Sequence, residues 1–294
     1  MLAVVGTVPF ENFPLVAAEV EMDHETLILE GRKVPINRGT PALLAAAMAT
    51  GKVLGNSSTF AYLVGDIGIG KGSRQLYAYL SEHLQSTVFG VITFHYILPD
   101  VDWHNRVLFA LEEMASRPVL IADAGFMYAA KMSGEAGAYD LFTPDVGELA
   151  FLADEEAPHP FYTRGFILHE DNRVPDLIAR AYEHDNASRI LLVKGKCDYI
   201  ATREGILAAV DEPMVETLEP VGGTGDTVTG IVSALVASGM SVQDSAVLAA
   251  KVNRLAGFYA EPTPATQVID IIREIPRAVD QVMAEQAKSK SERY

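Results

Sequence analysis

Residues 221–232 read Val-Gly-Gly-Thr-Gly-Asp-Thr-Val-Thr-Gly-Ile-Val and join a glycine-rich loop to a helix. Glycine has no Cβ, so the backbone at Gly222, Gly223 and Gly225 can turn tightly and come close to a ligand. Apolar residues then recur at helical spacing, which predicts a buried helix. The unpaired amides and the dipole at the start of such a helix both favour an anion. The junction is therefore predicted to hold a phosphate group.

On both sides of this junction, short apolar runs alternate with helix-like segments, which predicts a mainly parallel sheet covered on both faces. The predicted strands are 60–64, 88–94, 119–122, 141–142 and 189–193. The predicted helices are a first one that Thr40 can cap and Gly51 can end, then 73–84, 103–115, a short one near Met127, 146–152, 176–183, 224–238, 242–259 and 265–283. Two strands around a turn are expected at 26–36, and a hairpin at 198–210. Ligands bind such sheets at the carboxyl ends of the strands.

The composition limits the classes of partner that the protein can bind. The 294 residues include 23 basic and 39 acidic side chains, for a formal net charge of -16, which disfavours nucleic acid and anionic membranes as partners. The single cysteine allows no internal disulfide, which fits a reducing cytoplasm. No signal peptide and no apolar run of membrane-spanning length is evident. We therefore expect a soluble cytoplasmic protein that binds small molecules.

Asp226 allows two interpretations. A carboxylate in the first turn of a helix is an ordinary stabilising charge. A carboxylate beside a phosphate-binding loop can also take a proton from a nucleophilic hydroxyl. The local sequence favours the second role, because a glycine cluster, an acid and a buried helix occur together.

The stretch 223–231, Gly-Thr-Gly-Asp-Thr-Val-Thr-Gly-Ile, resembles the G-x-G-D signature of the ribokinase-like (carbohydrate kinase-like) superfamily. The resemblance implies a three-layer α/β/α fold with a mainly parallel central sheet. It also implies an anion hole at Gly223, Thr224 and Gly225, with Asp226 as catalytic base. We expect one such domain over residues 1–283 and a polar, frayed tail over 284–294. The hairpin at 26–36 is short, so little or no lid is expected.

Residues 141–149, Leu-Phe-Thr-Pro-Asp-Val-Gly-Glu-Leu, read as a strand end, a turn and a helix start. Asp145 and Glu148 can close a capping box, which is one explanation of the pair. The segment is also similar to T-P-x-x-x-E of the superfamily, and closest to the ADP/ATP-dependent NAD(P)H-hydrate dehydratases. That resemblance implies that Glu148 helps to hold Mg²⁺ with the nucleotide. Asp145 replaces the histidine that the dehydratases carry.

Residues 191–195, Leu-Leu-Val-Lys-Gly, are similar to the L-K-G motif of the dehydratases, which implies that Lys194 and Gly195 flank ATP or ADP. A lysine in this position can equally mark the edge of the sheet. Asp198 stands where the family usually has a small hydroxyl residue, and its negative charge would not help to bind a phosphate. By the same resemblance, Asn253 is a candidate residue near the adenine.

Four residues are candidates for the substrate site. Gly39 and Thr40 are similar to the early G-[ST] stretch of the dehydratases, although Thr40 is fully explained as a helix cap. His95 and Asp123 follow predicted strands, and a lone histidine is more often a local hydrogen-bonding residue. The neighbourhood of Asp123 is similar to D-A-D-A-L of the dehydratases but departs from it at Gly125.

Residues 65–73, Gly-Asp-Ile-Gly-Ile-Gly-Lys-Gly-Ser, nearly fit a P-loop after a strand. Gly72 stands where Ser or Thr should hold Mg²⁺, so a flexible glycine loop near the substrate is the favoured alternative.

The order T-P-x-x-G-E, K-G and G-x-G-D implies a nucleotide-dependent dehydratase of the hydrated nicotinamide ring, which acts through phosphorylation of a hydroxyl. A small-molecule kinase of the same fold is the first alternative. A non-catalytic nucleotide-binding protein is the second, suggested by Asp145, Asp198 and Gly125. The resemblance also implies a homo-oligomer.

Overall fold

Runs of Val, Ile, Leu and Ala form the central strands, because strands covered on both faces bury every side chain. These strands belong to a computed structural model that describes residues 1–56, 58–160 and 173–291. The chain divides into two units, each compact in itself. The first unit comprises Met1–Ala18 and Phe60–Ala209, and the second comprises Glu19–Thr59 and Val210–Tyr294. The single-domain assignment of residues 1–283 stays a prediction.

The strands and helices have the following bounds. The strands are β1 (Leu2–Val8), β2 (Val16–Glu19), β3 (Glu21–Asp23), β4 (Thr26–Leu29), β5 (Arg32–Pro35), β6 (Thr59–Gly65), β7 (Val91–His95), β8 (Val119–Ala122), β9 (Leu141–Phe142), β10 (Ile190–Val193), β11 (Asp198–Thr202) and β12 (Gly205–Val210). The helices are α1 (Thr40–Val53), α2 (Lys71–His83), α3 (Val101–Glu112), α4 (Ala124–Met132), α5 (Val146–Ala153), α6 (Val174–Glu183), α7 (Thr224–Ala237), α8 (Val242–Tyr259) and α9 (Val268–Ser291).

The first unit is built on a large sheet. Within the described residues, nine strands follow the order β12-β11-β10-β9-β8-β7-β1-β6-β2. The pairs from β1 through β7, β8 and β9 to β10 are parallel, and β11 joins β10 in the antiparallel sense. Buried side chains such as Val5, Phe94 and Leu191 belong to its core. The predicted mainly parallel sheet flanked by helices is confirmed, and the parallel strands place the residues after β7, β8, β9 and β10 at one edge.

Sequence patterns missed β1, although its residues Leu-Ala-Val-Val-Gly-Thr-Val are mostly apolar. This strand lies between β7 and β6 in the sheet.

Three local predictions differ from the structure. Thr40 does not cap α1: the cap residue is Gly39, with φ 70° and no side-chain cap hydrogen bond, and Thr40 is fully buried inside the first turn. Gly51 does not end α1, because the helix continues to Val53. A Cβ there would lie 2.3 Å from the carbonyl oxygen of Asn56, which explains the glycine by close packing. The tail is helical to Ser291, since Ala, Glu, Gln and Lys are good helix formers, and residues 292–294 lie outside the described residues.

The second unit contains the antiparallel sheet β3-β4-β5 and helices α1, α7, α8 and α9. The predicted strands at 26–36 are present as β4 and β5, and β3 adds a third. Helices α1 and α7 pack closely, because a Cβ on Gly230 would lie 2.2 Å from the carbonyl oxygen of Leu43. The first turns of α1 and α7 are joined by a hydrogen bond, described below.

In the stretches that the structure describes, no helix combines the length and the hydropathy that a membrane crossing requires.

Candidate functional site

The glycine loop of the second unit turns into α7 at Gly223. Gly223 is the cap residue and has a φ of 102°, in the left-handed region that favours glycine. The backbone here also packs tightly, because a Cβ on Gly223 would lie 3.0 Å from Cγ2 of Val268. The amides of the first turn, which include those of Thr224 and Gly225, have no partner within an α-helix. The loop therefore has the backbone geometry of an anion site, and the role of its residues stays a prediction.

Asp226 lies in this first turn and is 8% exposed. Its Oδ2 accepts a hydrogen bond of 2.6 Å from the amide of Gly39, 187 positions earlier in the chain. The predicted base and a predicted substrate residue thus meet in space. Because the hydrogen bond holds one carboxylate oxygen, it orients the other oxygen of Asp226.

Asn253 contacts the same turn of α7. Its Oδ1 accepts a 2.6 Å hydrogen bond from the hydroxyl of Thr227, and its Nδ2 donates to the carbonyl oxygen of Thr224 at 3.2 Å. These bonds tie α8 to the start of α7. The structure thus shows Asn253 supporting the first turn of α7, and its contact with a nucleotide stays a prediction.

Replacing Gly223 by alanine should lower the free energy of unfolding more than the same change at Gly239. Both residues have positive φ, 102° and 95°, so both alanines carry a backbone strain of about 1–2 kcal/mol. Only Gly223 also meets a neighbour, Val268, whereas a Cβ at Gly239 meets nothing within 4 Å. Urea unfolding of the two variants measures the difference. An equal loss of unfolding free energy in the two variants would show that Val268 does not restrict the loop.

The first unit brings two other candidates together at the sheet edge. Lys194 Nζ donates to Oδ1 and Oδ2 of Asp123 at 3.0 and 2.9 Å. Their side chains are only 12% and 2% exposed, so this is a buried ion pair rather than the marker of a sheet edge. His95 is fully buried, and its Nε2 lies 3.8 Å from Asp123 Oδ2. The burial of His95 beside Asp123 favours a local hydrogen-bonding role for this histidine. The contacts of His95 and Asp123 with substrate stay predictions.

Glu148 and Asp145 form the capping box that one interpretation of the sequence predicted. The amide of Glu148 donates to Asp145 Oδ1 at 2.7 Å, and the amide of Asp145 donates to Glu148 Oε2 at 2.8 Å. Sequence reasoning missed Tyr128, whose hydroxyl lies 3.4 Å from Glu148 Oε1. Burial and the neighbouring charge of Asp123 raise the pKa of Glu148 to about 8, against the attraction of Lys194. A cation beside Glu148 would stabilise the ionised carboxylate of Glu148, which burial and the charge of Asp123 disfavour.

The stability of the metal-free protein should fall as the pH rises from about 5 to about 8. The folded state holds the Glu148 proton up to about pH 8, whereas the unfolded chain releases it near 4.5. In that window the native state binds more protons, so raising the pH favours unfolding. Urea unfolding in the presence of EDTA should show a smaller decline in Glu148→Gln than in the wild type and in the exposed control Glu112→Gln. Parallel pH profiles for all three proteins would contradict this assignment.

Two residues that depart from the family pattern have local structural explanations. Asp198 Oδ1 accepts a 3.0 Å hydrogen bond from the amide of Gly195, so the carboxylate holds the turn after β10. Gly125 cannot carry a side chain, because its Cβ would lie 2.2 Å from the carbonyl oxygen of Ile97. These two departures therefore shape loops, and they do not by themselves argue against catalysis.

The glycine loop at 65–73 does not have the arrangement of a phosphate-binding P-loop. Asp66 Oδ1 accepts hydrogen bonds of 2.9–3.0 Å from the amides of Gly68, Ile69 and Gly70, and Oδ2 accepts two from Ser73. Burial would raise the pKa of Asp66, but these bonds outweigh it and lower the pKa. An internal carboxylate already takes the amides that a phosphate would need.

The described residues offer Mg²⁺ a carboxylate and leave the rest of its coordination shell to ligands from outside the protein. Among the residues that the structure describes, no three His, Cys, Asp or Glu side chains form a metal-binding group. Mg²⁺ commonly binds one or two carboxylates and completes its shell with water and phosphate oxygens. Glu148, a half-buried carboxylate with a raised pKa, fits this mode of binding.

A family model described as NAD(P)H-hydrate dehydratase matches residues 98–277, well over half of the chain. The chain is 39% identical over 242 residues to an uncharacterized protein of Methanocaldococcus jannaschii, covering 82% of this chain and 100% of that protein. It is 27% identical over 168 residues to the bifunctional NAD(P)H-hydrate repair enzyme of Pyrobaculum aerophilum, covering 56% of this chain and 30% of that enzyme.

Two solved structures share the fold. A ribokinase-like superfamily protein of Enterococcus faecalis aligns with a TM-score of 0.58 at 14% identity, covering 96% of this chain and 87% of that chain. The second is the ADP/ATP-dependent NAD(P)H-hydrate dehydratase of Bacillus subtilis, co-crystallized with ATP/Mg²⁺. It aligns with a TM-score of 0.57 at 13% identity, covering 96% of this chain and 89% of that chain. At these identities the match shows the fold alone, and it confirms the predicted ribokinase-like fold.

Proposed function

Because the chain belongs to the NAD(P)H-hydrate dehydratase family of ribokinase-like enzymes, we propose that it dehydrates NAD(P)H hydrate with ATP or ADP and Mg²⁺. The observation that carries the proposal is Asp226, held by the Gly39 amide at 2.6 Å in the first turn of α7. A carboxylate fixed in this way beside a glycine loop suits proton transfer from a hydroxyl and stabilisation of the transferred phosphoryl group.

In the proposed reaction, Asp226 accepts the proton as the hydroxyl oxygen of the hydrated ring attacks the terminal phosphorus of the nucleotide. The amides of Gly223, Thr224 and Gly225 stabilise the charge that develops on the phosphoryl oxygens. The ring then loses a proton and the phosphate, and its carbon–carbon double bond re-forms. The net change converts the hydrate and ATP to NAD(P)H, ADP and phosphate, or ADP to AMP.

The remaining candidates have separate proposed roles. Glu148 would hold Mg²⁺, and Lys194 and Gly195 would flank the nucleotide phosphates. When bound, Mg²⁺ would neutralise phosphate charge and polarise the phosphoryl group. Asn253 would keep the first turn of α7 in place, and Gly39, Thr40, His95 and Asp123 would shape the substrate side. A cytoplasmic location, suggested by the lone cysteine, and a homo-oligomer, suggested by the family resemblance, are further parts of this proposal.

The test incubates the purified protein with NADH hydrate, ATP or ADP, and Mg²⁺. We expect NADH absorbance to return with one free phosphate released per NADH. A stable phosphorylated product without free phosphate would instead identify a kinase. Binding of nucleotide without turnover would identify a non-catalytic protein, and either of these results would contradict the dehydratase.

A further inference from the structure

We propose that Arg38 binds the phosphoryl group at the glycine loop and acts as a further catalytic residue. This inference rests on the proposed function, because it assigns a charge partner to the same phosphoryl group. Sequence patterns gave Arg38 no role, although it directly precedes Gly39.

Arg38 lies against the glycine loop. A Cβ on Gly222 would lie 3.8 Å from Cδ of Arg38, and a Cβ on Gly223 would lie 3.4 Å from its Cα. The guanidinium group is bonded directly to Cδ, so it lies close to the same loop. The absence of a side chain at Gly223 lets the backbone of Arg38 approach the loop closely.

Within the described residues, Arg38 differs from two other arginines of the second unit in having no polar partner. Arg273 pairs with Glu25 at 2.8 Å and with Asp270 at 3.1 Å, and Arg254 donates to the carbonyl oxygen of Asp211 at 3.0 Å. Across residues 1–56, 58–160 and 173–291, the guanidinium of Arg38 makes no hydrogen bond and no ion pair. Its five N–H donors are therefore available to a ligand.

A cation beside this loop would stabilise the negative charge that the proposed reaction places there. The reaction places phosphoryl oxygens beside the carboxylate of Asp226, on a chain whose net charge is -16. Like charges repel, and backbone amides supply only partial positive charge. A guanidinium group neutralises phosphate charge and matches the spacing of two phosphate oxygens.

Adjacent residues would then serve two different anions. The backbone amide of Gly39 holds Asp226, and the side chain of Arg38 would hold the phosphoryl group. The loop before α1 would thereby set the separation between the base and the group that it helps to transfer.

The test compares Arg38→Gln and Arg38→Lys with Arg32→Gln, a control at an exposed arginine on β5. Because Arg38 is exposed and unpaired in the described structure, all three variants should unfold at nearly the wild-type urea concentration. Arg38→Gln should lower kcat by about 100-fold, as expected for loss of one charge-stabilising donor. Arg38→Lys should recover part of the rate, and added guanidinium ion should partly rescue Arg38→Gln but not Arg32→Gln.

Binding of inorganic phosphate, followed by titration calorimetry, gives a second readout that does not depend on turnover. Arg38→Gln should bind phosphate about 10-fold more weakly than the wild type, the loss expected for one charge-assisted contact. A rate and a phosphate affinity equal to those of Arg32→Gln would overturn the assignment of Arg38. If the wild type did not convert NADH hydrate, the proposed function would fail, and the phosphate titration alone would then decide the role of Arg38.

Discussion

Replacing Asp226 by asparagine will lower kcat for NADH hydrate by about 1,000-fold, the usual contribution of a general base. Asparagine keeps the size of the side chain and an oxygen that can accept the Gly39 amide, which donates to Asp226 at 2.6 Å. It cannot take a proton from the hydroxyl. We therefore expect the folded state and nucleotide binding to survive while the chemical step is lost.

The control for this variant is Asp280→Asn, at an exposed aspartate on α9 of the same unit. Steady-state rates and nucleotide titrations should show Asp280→Asn equal to the wild type. Asp226→Asn should match the wild type only in nucleotide affinity. A kcat within a few-fold of the wild type would show that another group accepts the proton.

Replacing Lys194 by methionine will lower the free energy of unfolding by about 3–5 kcal/mol, because it leaves a buried carboxylate without its ion-pair partner. The carboxylate is that of Asp123, which is 2% exposed and lies 2.9 Å from Lys194 Nζ. Methionine replaces the aliphatic stem, so most of the loss comes from the unpaired charge. Urea unfolding at pH 7 measures this effect.

Two further variants serve as controls for Lys194→Met. Lys71→Met removes an exposed lysine of the same unit and should change the free energy of unfolding by less than about 0.5 kcal/mol. The double variant Lys194→Met with Asp123→Asn removes both charges and should recover much of the lost stability. If the double variant were as unstable as Lys194→Met alone, packing rather than charge would explain the loss.

The candidate site could be predicted where its chemistry is encoded in neighbouring residues. The loop 222–226 predicts a tight turn into a buried helix, and Gly223 has the left-handed backbone that only glycine adopts readily. The capping box of Asp145 and Glu148 was predictable for the same reason, since its partners are three residues apart. The raised pKa of Glu148 was not predictable, because it depends on burial in the folded chain and on the charge of Asp123, which is distant in the sequence.

The helix cap at Thr40 shows where local reasoning fails. Threonine before a helix is a good cap by propensity. The fold instead places Gly39 at the cap and buries Thr40, and the amide of Gly39 donates to Asp226. A contact with α7 thus outweighed a local preference.

The sequence by itself determined the alternation of strands and helices, the glycine loop and its acid, because apolar periodicity and glycine conformation act over a few residues. Only the tertiary structure decided which distant groups meet: Gly39 with Asp226, 187 positions apart, and Asp123 with Lys194, 71 apart. The physical reason is that such contacts depend on strand order and on helix packing. The free energies that set strand order and helix packing are distributed over the whole core, so no short motif determines them.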